Sequence, residues 1–178
     1  LEFNKCLNCP LNPNQHPDCP LATQIVPYVT RLEGLASYDR IHLTVTTKER
    51  VISQETSLQQ GLSALMGLVM ATSGCPHLAW FRPMARFHLP LASTEETLFR
   101  ATSMYLLAQY FVDRKGGRPD MDFLGLSKIY KEIQVINVAI ATRLRAATRS
   151  DPSPNAVVIL DLYAPTMPMA IHESLEEL

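Results

Sequence analysis

At 178 residues the chain has the size of one domain, and 47% hydrophobic against 19% charged residues supply a real core and exclude the disordered class. A formal net charge of −1 leaves no global field for nucleic acid or anionic lipid, and the arginines are scattered rather than gathered on one face, so nucleic acid is not an expected partner. The longest apolar run, Leu62 to Ala71, contains Gly67 and falls well short of the ~20 residues a bilayer requires, so no membrane partner is expected either.

The chain opens on Leu1 rather than Met, as expected of the interior of a longer polypeptide or of a cloning scar. No leader pattern marks it for secretion, so a cytoplasmic location is expected, where cysteines serve as ligands or free thiols more often than as disulfides. Residues 4–20 carry five Asn or Asp and four Pro, which leaves no persistent helix or strand there. A stretch of this kind must be pinned by something. The expected division is therefore a cysteine-rich irregular segment, 1–20, followed by a single mainly helical domain, 21–178.

From Leu21 to Leu35 apolar residues recur at helical spacing, which predicts one amphipathic helix kinked at Pro27. Ile41, Leu43 and Val45 then alternate with His42, Thr44 and Thr46, and Val51 follows a polar turn: a short hairpin with one buried face. Thr56 or Ser57 caps a helix to about Thr72, with Gly74 just beyond it where a left-handed residue suits the end. Ser93-Thr94-Glu95-Glu96 has the capping-box pattern and opens a helix to about Val112, ended by Gly116-Gly117. Asp122 is the expected cap of a further helix to about Ala147, and Asn155 to Tyr163 forms a final apolar element. The fold class is mainly α (α+β), with about five helices and one hairpin.

Four cysteines match the number a tetrahedral metal site needs. Cys6 and Cys9 form a Cys-x-x-Cys chelate, Cys19 follows ten residues on, and Cys75 lies in Ser73-Gly74-Cys75-Pro76-His77. A shared ion would staple the irregular opening onto the end of the Leu58–Thr72 helix. Zinc is the first choice and a [4Fe–4S] cluster the alternative, because Cys-Pro recurs at Cys9, Cys19 and Cys75 and is a feature of iron–sulfur ligand runs. Pro10 also sits where a zinc knuckle commonly has glycine. Pro20 and Pro76 suit the first turn of helices, which would place Cys19 and Cys75 at positive helix ends. His16 and His77 are the substitute ligands, and four plain thiols with no metal are the remaining alternative.

The segment from His77 to Pro90 mixes large apolar residues with Arg82, Arg86 and His88. Arg82 and Arg86 are four apart and share one side of any helix, a pair that suits a phosphate or carboxylate, while His88 titrates near neutrality. Glu95, Glu96 and Arg100 follow on the next helix and could complete a polar constellation, but the plainer expectation is that the two arginines pair with Glu95, Glu96 or helix carboxyl ends. Ser73, Ser93 and Ser103 lie in no nucleophile elbow, and no phosphate loop, dinucleotide fingerprint or His-Glu-x-x-His motif is present, so no catalytic residue is assigned. Tyr105, Tyr110 and Phe111 read as core or as an interface on the long helix, and helical homodimerisation is compatible with them.

Three stretches are distinctive together: Phe3 to Leu11 with Cys19-Pro20, Met70 to His77, and Arg82-Pro-Met-Ala-Arg86-Phe-His88-Leu-Pro90, joined by Tyr105 to Phe111. They resemble an uncharacterised bacterial protein family across nearly the whole chain. The resemblance implies a bacterial cytosolic protein and carries no activity with it. Function is therefore expected to rest on a four-cysteine structural metal site and an anion- or partner-binding segment at Arg82, Arg86 and His88. The alternative is a metal-dependent or iron–sulfur redox enzyme in which His77 or His88 moves protons.

Overall fold

A computed structural model describes residues 4–32, 34–148 and 151–173, with the side chains of Thr30 and 163–173 outside the description. Among the described residues the architecture is six α-helices and one antiparallel hairpin, a mainly α fold. Among the described residues no helix or strand forms before Pro20, in keeping with the proline content of the opening.

Helix α1, Pro20–Val29, starts on a proline, whose missing N–H has no bond to lose in a first turn. Leu21, Ile25 and Val29 fall on one face and are buried. The helix is shorter than the period of its sequence suggests. Pro27 removes a hydrogen bond from the last turn, and the chain tightens into a 3-10 turn, Thr30–Leu32, instead of running on to Leu35. Strands β1, Arg40–Thr46, and β2, Val51–Ser57, pair from Arg40↔Ser57 to Thr46↔Val51. Ile41, Leu43 and Val45 turn their half-buried sides inward, as alternation predicts.

Ser57 ends β2 and caps α2, Leu58–Thr72, by accepting the Gln60 N–H. Beyond α2, Gly74 takes φ +87, a left-handed step that turns the chain toward Cys75. A 3-10 turn, Pro76–Phe81, leads into the short α3, Arg82–Arg86. Helix α4, Thr94–Arg114, opens on the complete capping box of Ser93 and Glu96.

Helix α5, Leu124–Ala147, is capped by Asp120 and not by Asp122. The Asp120 carboxylate accepts the Gly125 N–H at 2.6 Å and the Tyr105 hydroxyl at 2.6 Å. Two acceptors lie near the helix start, and the one that α4 also engages holds the position. Gly125 is needed there, since an added Cβ would collide with the Tyr105 hydroxyl. Helix α6, Pro152–Glu173, extends well past the expected Asn155–Tyr163 element.

The main core lies between α1, α2, α5 and α6, around Leu21, Ile25, Met66, Ile136, Ile140 and Val157. A second, smaller cluster joins α4 to the start of α5 through Leu98, Ala101, Tyr105, Leu126 and Tyr130. Tyr105 belongs to this core, whereas Tyr110 and Phe111 are exposed. Among the described residues no single helix is long and apolar enough to cross a membrane.

Candidate functional site

Cys6 and Cys9 share a tight turn in which the Cys9 N–H donates to the Cys6 carbonyl at 3.0 Å. Asn8 ties this turn to the helical frame. Its Nδ2 donates to the Glu132 carbonyl of α5 at 3.0 Å, and its own carbonyl meets His77 Nε2 at 2.8 Å. His77 Nδ1 in turn faces the Glu132 carboxylate at 3.2 Å. His77 is two residues past Cys75, so the knot of Asn8, His77 and Glu132 lays the first cysteine pair against the Cys75 segment. Cys19 arrives from another direction, directly before Pro20 of α1, and a Cβ at Gly74 would lie 3.9 Å from Pro20 Cβ. Cys19 and Cys75 are close enough to interact electrostatically.

All four cysteines are free thiols of intermediate burial, and Cys6, Cys19 and Cys75 pack against the main core. Their ionisation is mutually opposed. Burial, chiefly, pushes the Cys6 thiol up to about 11, Arg143 pulls it down, and the other three thiols push it further up. Burial also raises Cys75, against the His77 and Leu78 N–H groups that favour its thiolate at the head of the 3-10 turn. Of the three prolines that follow a cysteine, Pro20 and Pro76 open a helical turn, whereas Pro10 lies in the irregular opening. Cys6 thus feels the charges of Cys9, Cys19 and Cys75, and Cys75 those of Cys9 and Cys19. Among the described residues, however, no three His, Cys, Asp or Glu side chains are grouped as a single metal ion would require. His77 spends both ring nitrogens on Asn8 and Glu132, and His16 is exposed. Neither histidine replaces a thiol in this arrangement.

The Arg82–His88 segment divides. Arg82 and Arg86 are the first and last residues of α3 and both are exposed, while His88 is half-buried and lines a partly open cavity. Among the described residues neither arginine forms an ion pair. Glu96 is committed to the Ser93 backbone, and the described pairs are His42–Glu55 and His77–Glu132. The residue that holds the segment is Arg100 of α4, whose guanidinium donates to the Met84 and Phe87 carbonyls at 3.0 and 2.8 Å. It binds the free carbonyls at the end of α3, where a cation also complements the helix dipole. Burial, followed by the Arg100 charge, lowers the His88 pKa and keeps its ring neutral. Sequence spacing pointed to the neighbourhood, but the central cation was visible only as one charge on a long helix.

A family model described as a domain of unknown function (DUF6901) matches residues 1–178. The chain belongs to this family. That agrees with the uncharacterised family expected from the cysteine and Arg82–Pro90 stretches, and it brings no activity or cofactor to the site. No curated protein and no solved structure matches the chain.

Proposed function

We propose that Cys6, Cys9, Cys19 and Cys75 together ligate a metal centre that fixes the irregular opening onto the helical domain. The observation that carries this reading is that Cys6, Cys19 and Cys75, from three separate chain segments, pack against the main core, and that Cys6 interacts electrostatically with the other three thiols. Soft sulfur donors select zinc or iron–sulfur clusters. Burial raises the pKa of Cys6 and Cys75, a cost that a cation taking them as thiolates would offset, and Arg143 adds positive charge beside Cys6.

Zinc is the first choice for this set of donors, and a [4Fe–4S] cluster is the alternative. Bound zinc would link the opening to the frame without redox chemistry, and a cluster would supply one-electron transfer, while the chain's own residues would anchor either one. Asn8, His77 and Glu132 set the position of the first cysteine pair, and Pro20 and Pro76 direct the other two cysteines from helix starts.

Elemental analysis and a visible spectrum of protein purified without air and without an affinity metal test the proposal. About one zinc per chain and no colour is the expected result. Iron with matching sulfide and a broad visible absorption would keep the four-thiolate centre and replace zinc with a cluster. Absence of stoichiometric metal would overturn both.

A further inference from the structure

Away from the thiols, a cavity of about 320 Å³ lies between α2, α3, α4, α5 and α6. Its walls are mostly apolar, built from Met70, Leu78, Phe81, Ile133 and Leu160. Polar groups interrupt that lining, among them Gln54, Gln60 and Ser63, and two of them, Tyr130 and Asn137, stand on α5. Tyr130, Ile133 and Asn137 are three and four residues apart, so the first and last are separated by roughly 10 Å along the axis.

The Tyr130 pole carries the charge. Arg100 is anchored by the Met84 and Phe87 carbonyls, lines the cavity, and acts electrostatically on both Tyr130 and His88. His88 is held neutral there, so the guanidinium is the lasting charge at that end. The Asn137 pole carries an unmet need. Asn137 is 2% exposed, its Nδ2 donates to Asp161 Oδ1 at 3.2 Å, and its Oδ1 has no hydrogen-bond partner. Asp161 accepts and cannot donate, which fixes the amide with its oxygen as the free group. A buried acceptor left without a donor is costly, and a ligand that donates to it removes the cost.

We propose that this cavity binds an elongated, mainly apolar monocarboxylate, with its carboxylate on Arg100 and Tyr130 and a hydrogen-bond donor at its far end on Asn137. A single cation in an apolar chamber matches one negative charge, and the planar guanidinium suits a carboxylate. The roughly 10 Å between the poles corresponds to an extended chain of about eight carbons. The site is independent of the cysteine centre.

Titration calorimetry with octanoate, 8-hydroxyoctanoate and 1-octanol tests it on the full chain. Octanoate is expected to bind one per chain, and about 10-fold more tightly than 1-octanol. Arg100→Gln should weaken octanoate by about 10-fold and leave 1-octanol unchanged. Tyr130→Phe removes a single oxygen, should weaken octanoate by about 5-fold, and decides the matter alone if Arg100→Gln fails to fold. 8-Hydroxyoctanoate should bind about 5-fold more tightly than octanoate, and Asn137→Leu should abolish that gain. Equal binding of octanoate and 1-octanol, no saturable binding, or Tyr130→Phe binding octanoate as the natural chain does would overturn the proposal. Equal affinity of the two acids would remove Asn137 from it.

Discussion

The connection from α4 to α5, residues 115–123, and the opening residues 4–19 are both irregular, both rich in polar side chains, and both packed on the same helical frame. The connection is organised by one carboxylate. Asp120 accepts from Tyr105, Gly125 and Asp122, and its own N–H donates to Gln109 Oε1 at 2.9 Å. Two of these partners, Tyr105 and Gln109, are buried on α4, so the loop is bound to the second core by bonds the chain carries itself. The opening has bonds of its own, such as Lys5 Nζ to the Leu11 carbonyl at 2.8 Å. It reaches the frame through Asn8 and through Asn4, whose carbonyl accepts from Arg143 Nε at 3.1 Å, and it carries three of the four free thiols, Cys6, Cys9 and Cys19. The connection is held by a hydrogen-bond hub, and for the opening the proposed support is a metal on its thiols. The two differ in what removes them.

The largest expected effect lies at the opening. Cys9→Ser, or removal of the bound metal, should expose residues 4–19 to proteolysis and raise their amide exchange at least about 100-fold while α5 stays protected. Exchange mass spectrometry reads both regions at once, and an opening as protected as in the natural chain would erase the contrast. Next comes the hub. Asp120→Ala should cost roughly 2–3 kcal/mol in denaturant unfolding, because the buried Tyr105 hydroxyl and the Gly125 N–H lose their acceptor. The opening should keep its exchange pattern in that variant.

A smaller effect is expected from His77→Ala, about 1 kcal/mol, with faster exchange confined to residues 4–19. If that loss spread into the α4–α5 connection instead, the two regions would be one cooperative unit. The smallest effect is in acid. The Tyr105 hydroxyl, first, and the Gly125 N–H hold the Asp120 carboxyl below its usual range, while burial, chiefly, pushes Tyr105 up to about 12. A depressed carboxyl adds stability above its unfolded pKa of about 3.9 and loses it as pH falls through the folded value. Melting temperature measured from neutral pH downward should therefore fall more steeply below about pH 4 in the natural chain than in Asp120→Asn. The difference should stay within about 1 kcal/mol because this carboxylate is largely exposed.

Much of the fold was legible because its signals are local. Ser57 and Ser93 cap the helices they precede, Gly74 takes the left-handed step placed after α2, and the hairpin follows its alternation. Local signals failed where two similar groups competed or where a distant partner decided. Asp122 lies nearer the start of α5, but the Tyr105 hydroxyl from α4 favours Asp120. Glu96 looked free to pair with arginine, yet its own capping box uses it.

The candidate sites divide in the same way. Residue type alone marked Cys6, Cys9, Cys19 and Cys75, because thiols in a proline-rich opening have few ordinary roles. The Asn8–His77–Glu132 knot, which ties the Cys6–Cys9 turn to the segment after Cys75, has no spacing to read. Arg82, Arg86 and His88 marked a neighbourhood, and only His88 turned inward. By itself the sequence determined the helical class, the caps, the hairpin and the identity of the thiols, since propensity, period and residue chemistry act over a few positions. Tertiary structure alone decided that Arg100, Tyr130 and Asn137 share one cavity, because burial and a missing hydrogen-bond partner belong to the packed chain and not to any residue in it.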